Sequence, residues 1–435
     1  MRRLVALGSA VLVLSATLAA SALVWAEPLP SAKPEQVGLA SERLDRIGQA
    51  LRAEIEKGKL PGAIALVARK GRVAYFEAFG SRDKAAGAPM TKDAIFRIYS
   101  MTKPLVSVAA MIVMEDGRLV LTDPVSRFLP QLTKLQVSVP RADSTFARVT
   151  YTLVPSEREP TIQDLLRHTS GLVYGEITQN APVKEAYAKA GVFQPAGLPY
   201  DARGVTPAEE VEGLGKAPLA HQPGTVWEYS LSTDVLGRVV EAVSGMSLSG
   251  FLAERLFAPL KMTDTAFVVP RQKVARLAQP FATDKETGKP ITLLDVTVAQ
   301  KNDAGGAGSA ATAGDYARFC QMLLNGGELD GVRVLSRATV AYMTADHLDT
   351  IKPAIPTLQP GYGFGLGFAV RKGAGVSSTI GSAGEYNWGG AAGTGFWVDP
   401  KEQLVAIVMT QTVPGPAQRV DRALFRHAVY QAIVD

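Results

Sequence analysis

The sequence is poor in the residues that build disulfides and metal sites. It has one cysteine, Cys320, in 435 residues, which excludes an intramolecular disulfide and a cysteine-based zinc site. Cys320 falls on the apolar face of a predicted helix, where a buried structural cysteine is expected. The four histidines form no close pair and no His-Glu-x-x-His pattern, which disfavours a metal enzyme. We therefore expect no metal and no cofactor.

The sequence also has no long run of residues that all have the same charge sign. The chain has 46 basic and 41 acidic residues, a formal net charge of +5, and no lysine- or arginine-rich block. Nucleic acid is therefore not an expected partner. Hydrophobic residues make up 47% of the chain and charged residues 20%, a composition that predicts a sizeable core rather than a disordered chain. No Gly-x-Ser-x-Gly occurs, so the nucleophile elbow of an α/β-hydrolase is absent.

The N-terminus has the pattern of a secretory signal peptide. Arg2 and Arg3 precede an apolar run from Leu4 to Trp25, and Ala26 completes a small-x-small cleavage site. We predict a signal peptide over residues 1–26, cleaved after Ala26, and an exported protein, periplasmic or secreted, with no stable membrane insertion after cleavage. The alternative is an uncleaved anchor, because the run is nearly long enough to cross a bilayer.

Predicted strands near both ends of the chain enclose a central stretch of helices and long loops. A Pro-rich tether over 27–40 leads to a helix from Ser41 and to two strands around a turn at Lys70-Gly71. Near the C-terminus we predict a helix at Ala313–Leu324, strands at Phe364–Val370, Gly393–Val398 and Leu404–Thr410, and a last helix at Ala417–Ile433.

This order predicts an α+β fold. Residues 41–119 and 301–435 would form one antiparallel sheet built from both termini and flanked by helices. Residues 120–300 would form an inserted, mainly helical domain with long loops. The stretch from Tyr174 to Pro223 is too long for a plain connection, so we predict a functional loop or lid there.

The strongest chemical signal is Ser100-Met101-Thr102-Lys103, at the start of a helix predicted to run to Glu115. Residues three apart on a helix face the same side, which places the Lys103 amine beside the Ser100 hydroxyl. A neighbouring base activates a serine hydroxyl as a nucleophile. The helix N-terminus favours the negative charge that acyl transfer develops. The tetrapeptide alone also occurs by chance on solvated helices.

Two further segments have candidate chemistry. Tyr229 stands at a predicted loop–helix junction, where a phenol whose pKa is lowered by a nearby ammonium could exchange a proton with Ser100 or the leaving group. Its alternative role is that of a core tyrosine with a satisfied hydroxyl. The glycine-rich segment from Tyr386 to Pro400 opens a strand, and such an edge could present a backbone N–H as half of an oxyanion hole. The alternative there is an ordinary turn.

Five segments in order give the chain a family resemblance. They are Phe96–Pro104, Thr161–Leu172, Glu228–Gly237, Gly305–Asp315 and Trp388–Gly390. With them, the chain from about residue 35 to its end resembles the serine β-lactamase/penicillin-binding protein superfamily, class C-like. Within that superfamily it is most similar to the family VIII carboxylesterases. The resemblance implies a β-lactamase/DD-peptidase-like fold.

The resemblance also implies roles for individual residues. Ser100 would be the nucleophile that forms the acyl-enzyme, and Lys103 would hold or accept its proton. Tyr229 would be the base and then the acid to the leaving group; which of Lys103 and Tyr229 is the primary base stays open. The backbone N–H groups of Ser100 and Ala391 would form the oxyanion hole. His168 would be structural, like its neighbour Ser170.

Four residues would contact the substrate, and two of them depart from the β-lactamase pattern. Leu231 stands where those enzymes have asparagine, and Trp388 stands where they have the lysine of Lys-Thr-Gly; Gly389 and Gly390 complete the set. An acidic β-lactam therefore loses two polar anchors. Trp388 offers an apolar wall suited to the acyl or alcohol part of an ester.

These features predict an exported serine carboxylesterase that acts on short- to medium-chain carboxylic esters, with weak cephalosporin hydrolysis as a side activity. Its partner would be a small-molecule ester. Alternatives within the superfamily are a β-lactamase, a D-amino-acid peptidase and an acyltransferase. The non-enzymatic alternatives are a cell-wall binding protein and, with the N-terminus uncleaved, a membrane-tethered interaction protein.

Overall fold

The computed structural model describes residues 28–143, 148–285, 287–353, 358–412 and 417–435. The predicted signal peptide lies outside these residues. The helices are α1 (Ser41–Glu56), α2 (Thr102–Glu115), α3 (Ile162–Leu166), α4 (Ala181–Lys189), α5 (Pro207–Lys216), α6 (Ser232–Ser244), α7 (Leu248–Leu252), α8 (Ala313–Leu324), α9 (Arg337–Met343) and α10 (Ala417–Tyr430).

One eight-stranded antiparallel sheet forms the central layer. Its strands are β1 (Gly62–Arg69), β2 (Arg72–Asp83), β3 (Ala88–Pro89), β12 (Tyr362–Phe364), β13 (Ala369–Arg371), β14 (Tyr386–Gly389), β15 (Gly395–Asp399) and β16 (Leu404–Thr410). They lie in the order β12-β13-β14-β15-β16-β1-β2-β3. Because β1 pairs with β16, the two ends of the chain share one sheet, and the predicted fold class is confirmed.

The remaining strands form small pairs away from the central sheet. They are β4 (Phe96–Arg97) with β8 (Ala310–Ala311), β5 (Gln136–Asp143) with β6 (Arg148–Pro155), β7 (Val226–Trp227) with β11 (Lys352–Pro353), and β9 (Glu328–Leu329) with β10 (Val332–Arg333).

Both faces of the central sheet are covered by helices. Ile64 and Leu66 of β1 belong to the core that contains α2 and α8. Ala65 and Val67, which alternate with them, pack in a second core with α1 and α10. This alternation follows from the two-residue period of a strand, and it places α2 and α10 on opposite faces of the sheet.

Several predicted elements are confirmed. The β1–β2 turn has Lys70 at φ 51° and Gly71 at φ 76°, the two positive values of a tight hairpin turn. Helix α8 has the predicted bounds, and Cys320 within it is buried. Of the described helices, no single one is long and apolar enough to cross a membrane, although Ser232–Ser244 and Leu248–Phe257, bent by 78°, meet that criterion jointly.

Two expectations about secondary structure were wrong. The predicted strand Phe364–Val370 is two strands, β12 and β13, because the chain reverses at Gly367 (φ 101°). The stretch from Tyr174 to Pro223, predicted to be one long functional loop or lid, is not a continuous loop but contains α4 and α5. The N-cap Thr206 accepts a hydrogen bond from the Glu209 N–H and starts α5, a local signal that the surrounding prolines and glycines obscured.

Candidate active site

Ser100 lies in a short 3-10 turn, Tyr99–Met101, that leads into α2. The preceding residue, Tyr99, has φ 44°, a backbone conformation that costs free energy for a non-glycine residue. Tyr99 is buried, and its hydroxyl accepts a hydrogen bond from the Leu294 N–H at 3.0 Å. Tertiary packing therefore holds the strained turn that presents Ser100 to a cleft.

Lys103 lies fully inside the protein beneath Ser100. Its Nζ donates hydrogen bonds to the Tyr174 hydroxyl at 2.8 Å and to the Gly306 carbonyl at 2.7 Å. Burial lowers the pKa of Lys103 to about 7, and the nearby Asp234 carboxylate opposes that shift. A substantial share of the Lys103 amines is therefore neutral near pH 7, which a general base requires.

Tyr229 lies in the loop before α6, and its side chain lies beside Ser100 and Lys103. Its hydroxyl accepts a hydrogen bond from Trp388 Nε1 at 3.4 Å and lies close enough to the Ser100 side chain for Ser100 to lower its pKa. Lys103 Nζ lies 4.5 Å from the centre of the Tyr229 ring. Burial raises the pKa of Tyr229, so the expected lowering by a lysine ammonium was wrong: desolvation of the phenolate outweighs the Ser100 and Trp388 side chains, which lower the pKa.

Asp234 supports this group from the first turn of α6. Its Oδ1 accepts the Gly306 N–H at 2.9 Å, and the Gly306 carbonyl accepts from Lys103. A side chain on Gly306 would collide with Asp234 Oδ2 and the Tyr174 hydroxyl, at 2.3 and 2.7 Å. Sequence reasoning missed Asp234, Gly306 and Tyr174. The one available signal was an acidic residue in the first turn of a predicted helix.

A cleft of about 620 Å³ opens beside Ser100 and Tyr229. The apolar and aromatic side chains that line it include Ile177, Tyr200, Leu358, Tyr362, Trp388 and Phe396. Gly389, Gly390 and Ala391 also line it, as predicted from the sequence. Leu231 does not: it is 2% exposed and packs in the main core. Its predicted contact with substrate is thus corrected, because an apolar side chain at this helix start gains more from burial.

Two arginines, Arg422 and Arg426, also line the cleft, and both donate hydrogen bonds to protein groups. Arg426 donates to both carboxylate oxygens of the buried Glu385, at 2.6 and 2.7 Å. Arg422 donates to the Gly390 carbonyl at 2.6 Å. The cleft near Ser100 thus offers an aromatic wall where the β-lactamase pattern has a lysine.

His168 is a structural neighbour of the site, as the resemblance implied. It is 2% exposed, its Nδ1 is hydrogen-bonded to the Ser230 hydroxyl at 3.0 Å, and its ring lies 5.1 Å from that of Tyr229. Burial lowers the pKa of His168, so a neutral ring packs against the phenol of Tyr229. Across the described residues, no three His, Cys, Asp or Glu side chains form a group that could hold a metal ion.

The family model described as Beta-lactamase matches residues 47–431. The chain belongs to the beta-lactamase family. As a member of it, the chain is a serine hydrolase. The structure brings the three predicted catalytic side chains, Ser100, Lys103 and Tyr229, together beside one cleft.

Relatives in the beta-lactamase family align over most of their length. Esterase EstB of Burkholderia gladioli is 32% identical over 406 residues, which cover 88% of this chain and 93% of EstB. Protein Rv1367c of Mycobacterium tuberculosis is 35% identical over 381 residues, 85% of this chain and 90% of that protein. The solved structure of EstCE1, a hydrolase with promiscuous acyltransferase activity, superposes with a TM-score of 0.73 at 29% identity, covering 89% of this chain and 99% of EstCE1.

Proposed function

We propose that this protein is an exported carboxylesterase of the family VIII type, which hydrolyses short- to medium-chain carboxylic esters through an acyl-enzyme on Ser100. The observation that supports it is the position of Trp388. Its indole lines the cleft and donates to Tyr229, where the β-lactamase pattern has a lysine for the substrate carboxylate. The similarity to Esterase EstB supports the same substrate class.

The reaction follows from the three side chains. Ser100 Oγ attacks the ester carbonyl carbon while its proton passes to a base, and the carbonyl oxygen becomes an oxyanion between the N–H groups of Ser100 and Ala391. The intermediate collapses with cleavage of the ester C–O bond, and the alkoxide takes a proton from the site. Water then attacks the acyl-enzyme along the same path, releasing the carboxylic acid and restoring the Ser100 hydroxyl.

The two pKa directions favour Lys103 as the base and Tyr229 as the proton donor. A neutral lysine amine has two N–H bonds and one lone pair. Its two hydrogen bonds, to Tyr174 and Gly306, use both N–H bonds and leave the lone pair for the Ser100 proton. Burial holds Tyr229 in its protonated form, so the phenol serves as the acid that protonates the leaving alkoxide.

An acyltransferase is the second candidate. The same acyl-enzyme can pass its acyl group to an alcohol in place of water, and the similarity to EstCE1, titled a hydrolase with promiscuous acyltransferase activity, supports this route. A β-lactamase or D-amino-acid peptidase would need a free cation in the cleft for the substrate carboxylate, and Trp388 takes the place of that cation. Weak cephalosporin hydrolysis stays part of the proposal as a side activity.

Labelling with a fluorophosphonate tests the proposed function. Intact mass spectrometry should show one phosphonyl adduct, and peptide mapping should place it on Ser100. Hydrolysis of p-nitrophenyl butyrate should fall in proportion to the labelled fraction. A protein that takes up no adduct and hydrolyses no ester would be a cell-wall binding protein rather than an esterase. An adduct on another residue, with ester hydrolysis retained, would exclude Ser100 as the nucleophile. Butanol added to the assay separates hydrolysis from acyl transfer by the ratio of butyric acid to butyl butyrate.

Trp388→Lys should shift the preference of the enzyme towards anionic substrates. The substitution replaces an apolar wall with a cation and removes the N–H that bonds Tyr229. We expect the ratio of kcat/KM for a cephalosporin to that for p-nitrophenyl butyrate to rise by roughly tenfold or more, since one charge-assisted hydrogen bond contributes about 1.5–3 kcal/mol. Trp388→Phe is the matched control: it loses the same N–H and gains no cation. An equal ratio in the two variants would contradict this role of Trp388.

A further inference from the structure

Arg422 of α10 lies against two glycines of the central sheet. Gly389 of β14 and Gly395 of β15 are direct register partners. A Cβ on Gly389 would lie 2.4 Å from Arg422 Nη1, and one on Gly395 would lie 3.1 Å from Nε and 3.2 Å from Cδ of the same side chain. Because these two glycines have no side chains, they leave a groove on the sheet that the Arg422 guanidinium occupies. A larger residue at position 389 or 395 would displace the guanidinium.

From this groove, Arg422 Nη2 donates to the Gly390 carbonyl at 2.6 Å. That oxygen also accepts the Gly393 N–H at 3.2 Å, within a turn that the Gly390 N–H closes by donating to the Thr394 carbonyl at 2.8 Å. The Gly390 carbonyl belongs to the same peptide unit as the Ala391 N–H. This unit is therefore held at its oxygen by a cation from α10.

The orientation of this peptide unit decides where the Ala391 N–H points. The described residues contain no cis peptide bond, and in a trans peptide the C=O and N–H point in opposite directions. Arg422 belongs to α10, whereas Ser100 leads into α2 on the opposite face of the sheet. A carbonyl turned towards Arg422 directs the Ala391 N–H away from α10, towards the side of Ser100.

We propose that Arg422 is a positioning residue of the oxyanion hole: seated in the groove of Gly389 and Gly395, it fixes and polarises the peptide whose N–H, on Ala391, receives the substrate oxyanion. The inference rests on the proposed acyl-enzyme chemistry. A cationic donor on the carbonyl withdraws electron density from the peptide and makes its N–H a stronger donor. Neither Arg422 nor Gly395 needs to touch the substrate for this effect.

A residue that positions the oxyanion hole should affect kcat and KM differently from a residue that only stabilises the fold. Arg422→Gln should lower kcat for p-nitrophenyl butyrate by roughly 10- to 100-fold and leave KM within about twofold, because the oxyanion exists only in the transition state. Affinity for a trifluoromethyl ketone, whose hemiketal oxyanion occupies the hole, should fall by a similar factor. Arg422→Lys, which keeps the charge, should retain more activity than Arg422→Gln.

Gly395→Ala tests the groove without altering a charge. Its Cβ would meet only Arg422 among its three nearest contacts, so it should lower kcat in the wild-type background and have little effect once Arg422 is glutamine. Arg43→Gln is the control: Arg43 donates to the Gln431 carbonyl beyond the end of α10 at 2.9 Å, a similar arginine–carbonyl contact far from the cleft. It should leave kcat unchanged. The rates of all variants should be compared at temperatures equally far below their thermal unfolding midpoints.

Three results would overturn the role of Arg422. They are an Arg422→Gln variant that loses kcat but keeps its affinity for the ketone, a loss confined to the KM of anionic esters, or equal effects of Gly395→Ala in both backgrounds. The second result would make Arg422 a receptor for substrate carboxylates. A failure of the proposed function is distinct, because the wild-type protein would then show neither ester hydrolysis nor phosphonylation of Ser100.

Discussion

Replacing Ser100 with alanine is expected to lower kcat/KM for p-nitrophenyl butyrate by a factor of roughly 10⁴ or more, because the acyl-enzyme cannot form. The cleft, Lys103 and Tyr229 remain in place, so substrate binding should change little. Residual activity should come only from water attacking a bound ester near the oxyanion hole. The measurement is steady-state hydrolysis over a concentration range, with mass spectrometry for the acyl-enzyme.

Ser107 supplies the matched control for this experiment. It lies on α2, the helix that follows the Ser100 turn, is 1% exposed, and its Oγ has no hydrogen-bond partner among the described residues. Ser107→Ala therefore makes the same chemical change on α2 without touching the cleft, and activity should stay within about twofold of wild type, as for substitutions away from a functional contact. Retained activity in the Ser100→Ala variant would show that Ser100 is not the nucleophile. It would also contradict the main residue role that the family resemblance implies.

Lys103→Met is the second large effect. We expect kcat to fall by roughly 10²- to 10⁴-fold, the contribution of general acid–base catalysis. The same substitution should change how stability depends on pH. A lysine in an unfolded chain has a pKa of about 10.4, whereas burial lowers the pKa of folded Lys103 to about 7. Between these two values the unfolded state binds more protons, so stability rises with pH in the wild type.

This contribution is absent once the amine is removed. The unfolding midpoint of the Lys103→Met variant, relative to wild type, should therefore be highest at pH 6 and should decline towards pH 9.5. In wild type, kcat/KM should rise through about pH 7. Asp234→Asn keeps an oxygen for the Gly306 N–H and removes the anion that raises the pKa of Lys103, so its rate profile should move to lower pH. A wild-type profile that rises only above pH 9 would contradict Lys103 as a neutral base.

The fold was largely predictable because its strongest signals are local. The turn at Lys70 and Gly71 needs two positive φ values, and the apolar period of α8 spans twelve residues. The strand β16 was predicted with its observed bounds because it is continuously apolar and buried. The β12–β13 reversal was missed, since a single glycine within an apolar run carries no unambiguous turn signal.

The residues of the candidate site likewise fall into two groups: those that a local sequence pattern places together, and those that only the fold brings together. Ser100 and Lys103 are three residues apart, and the helical period alone places them on one side. Tyr229 and Trp388 are 159 residues apart, and only the family resemblance linked them before the structure brought the indole N–H to the phenol. Nothing in the sequence linked Arg422 to the glycine-rich segment, because the groove exists only when β14 and β15 pair beneath α10.

The sequence by itself determined the nucleophile motif, the fold class and the absence of a lysine at position 388, since each depends on residue identity and short-range period. The tertiary structure decided which protonation states these groups adopt. Burial lowers the pKa of Lys103 to about 7, and the groups that its amine contacts, Tyr174 and Gly306, lie 71 and 203 residues away in the chain. The cost of desolvating a charge is a property of everything packed around it, which no local pattern records.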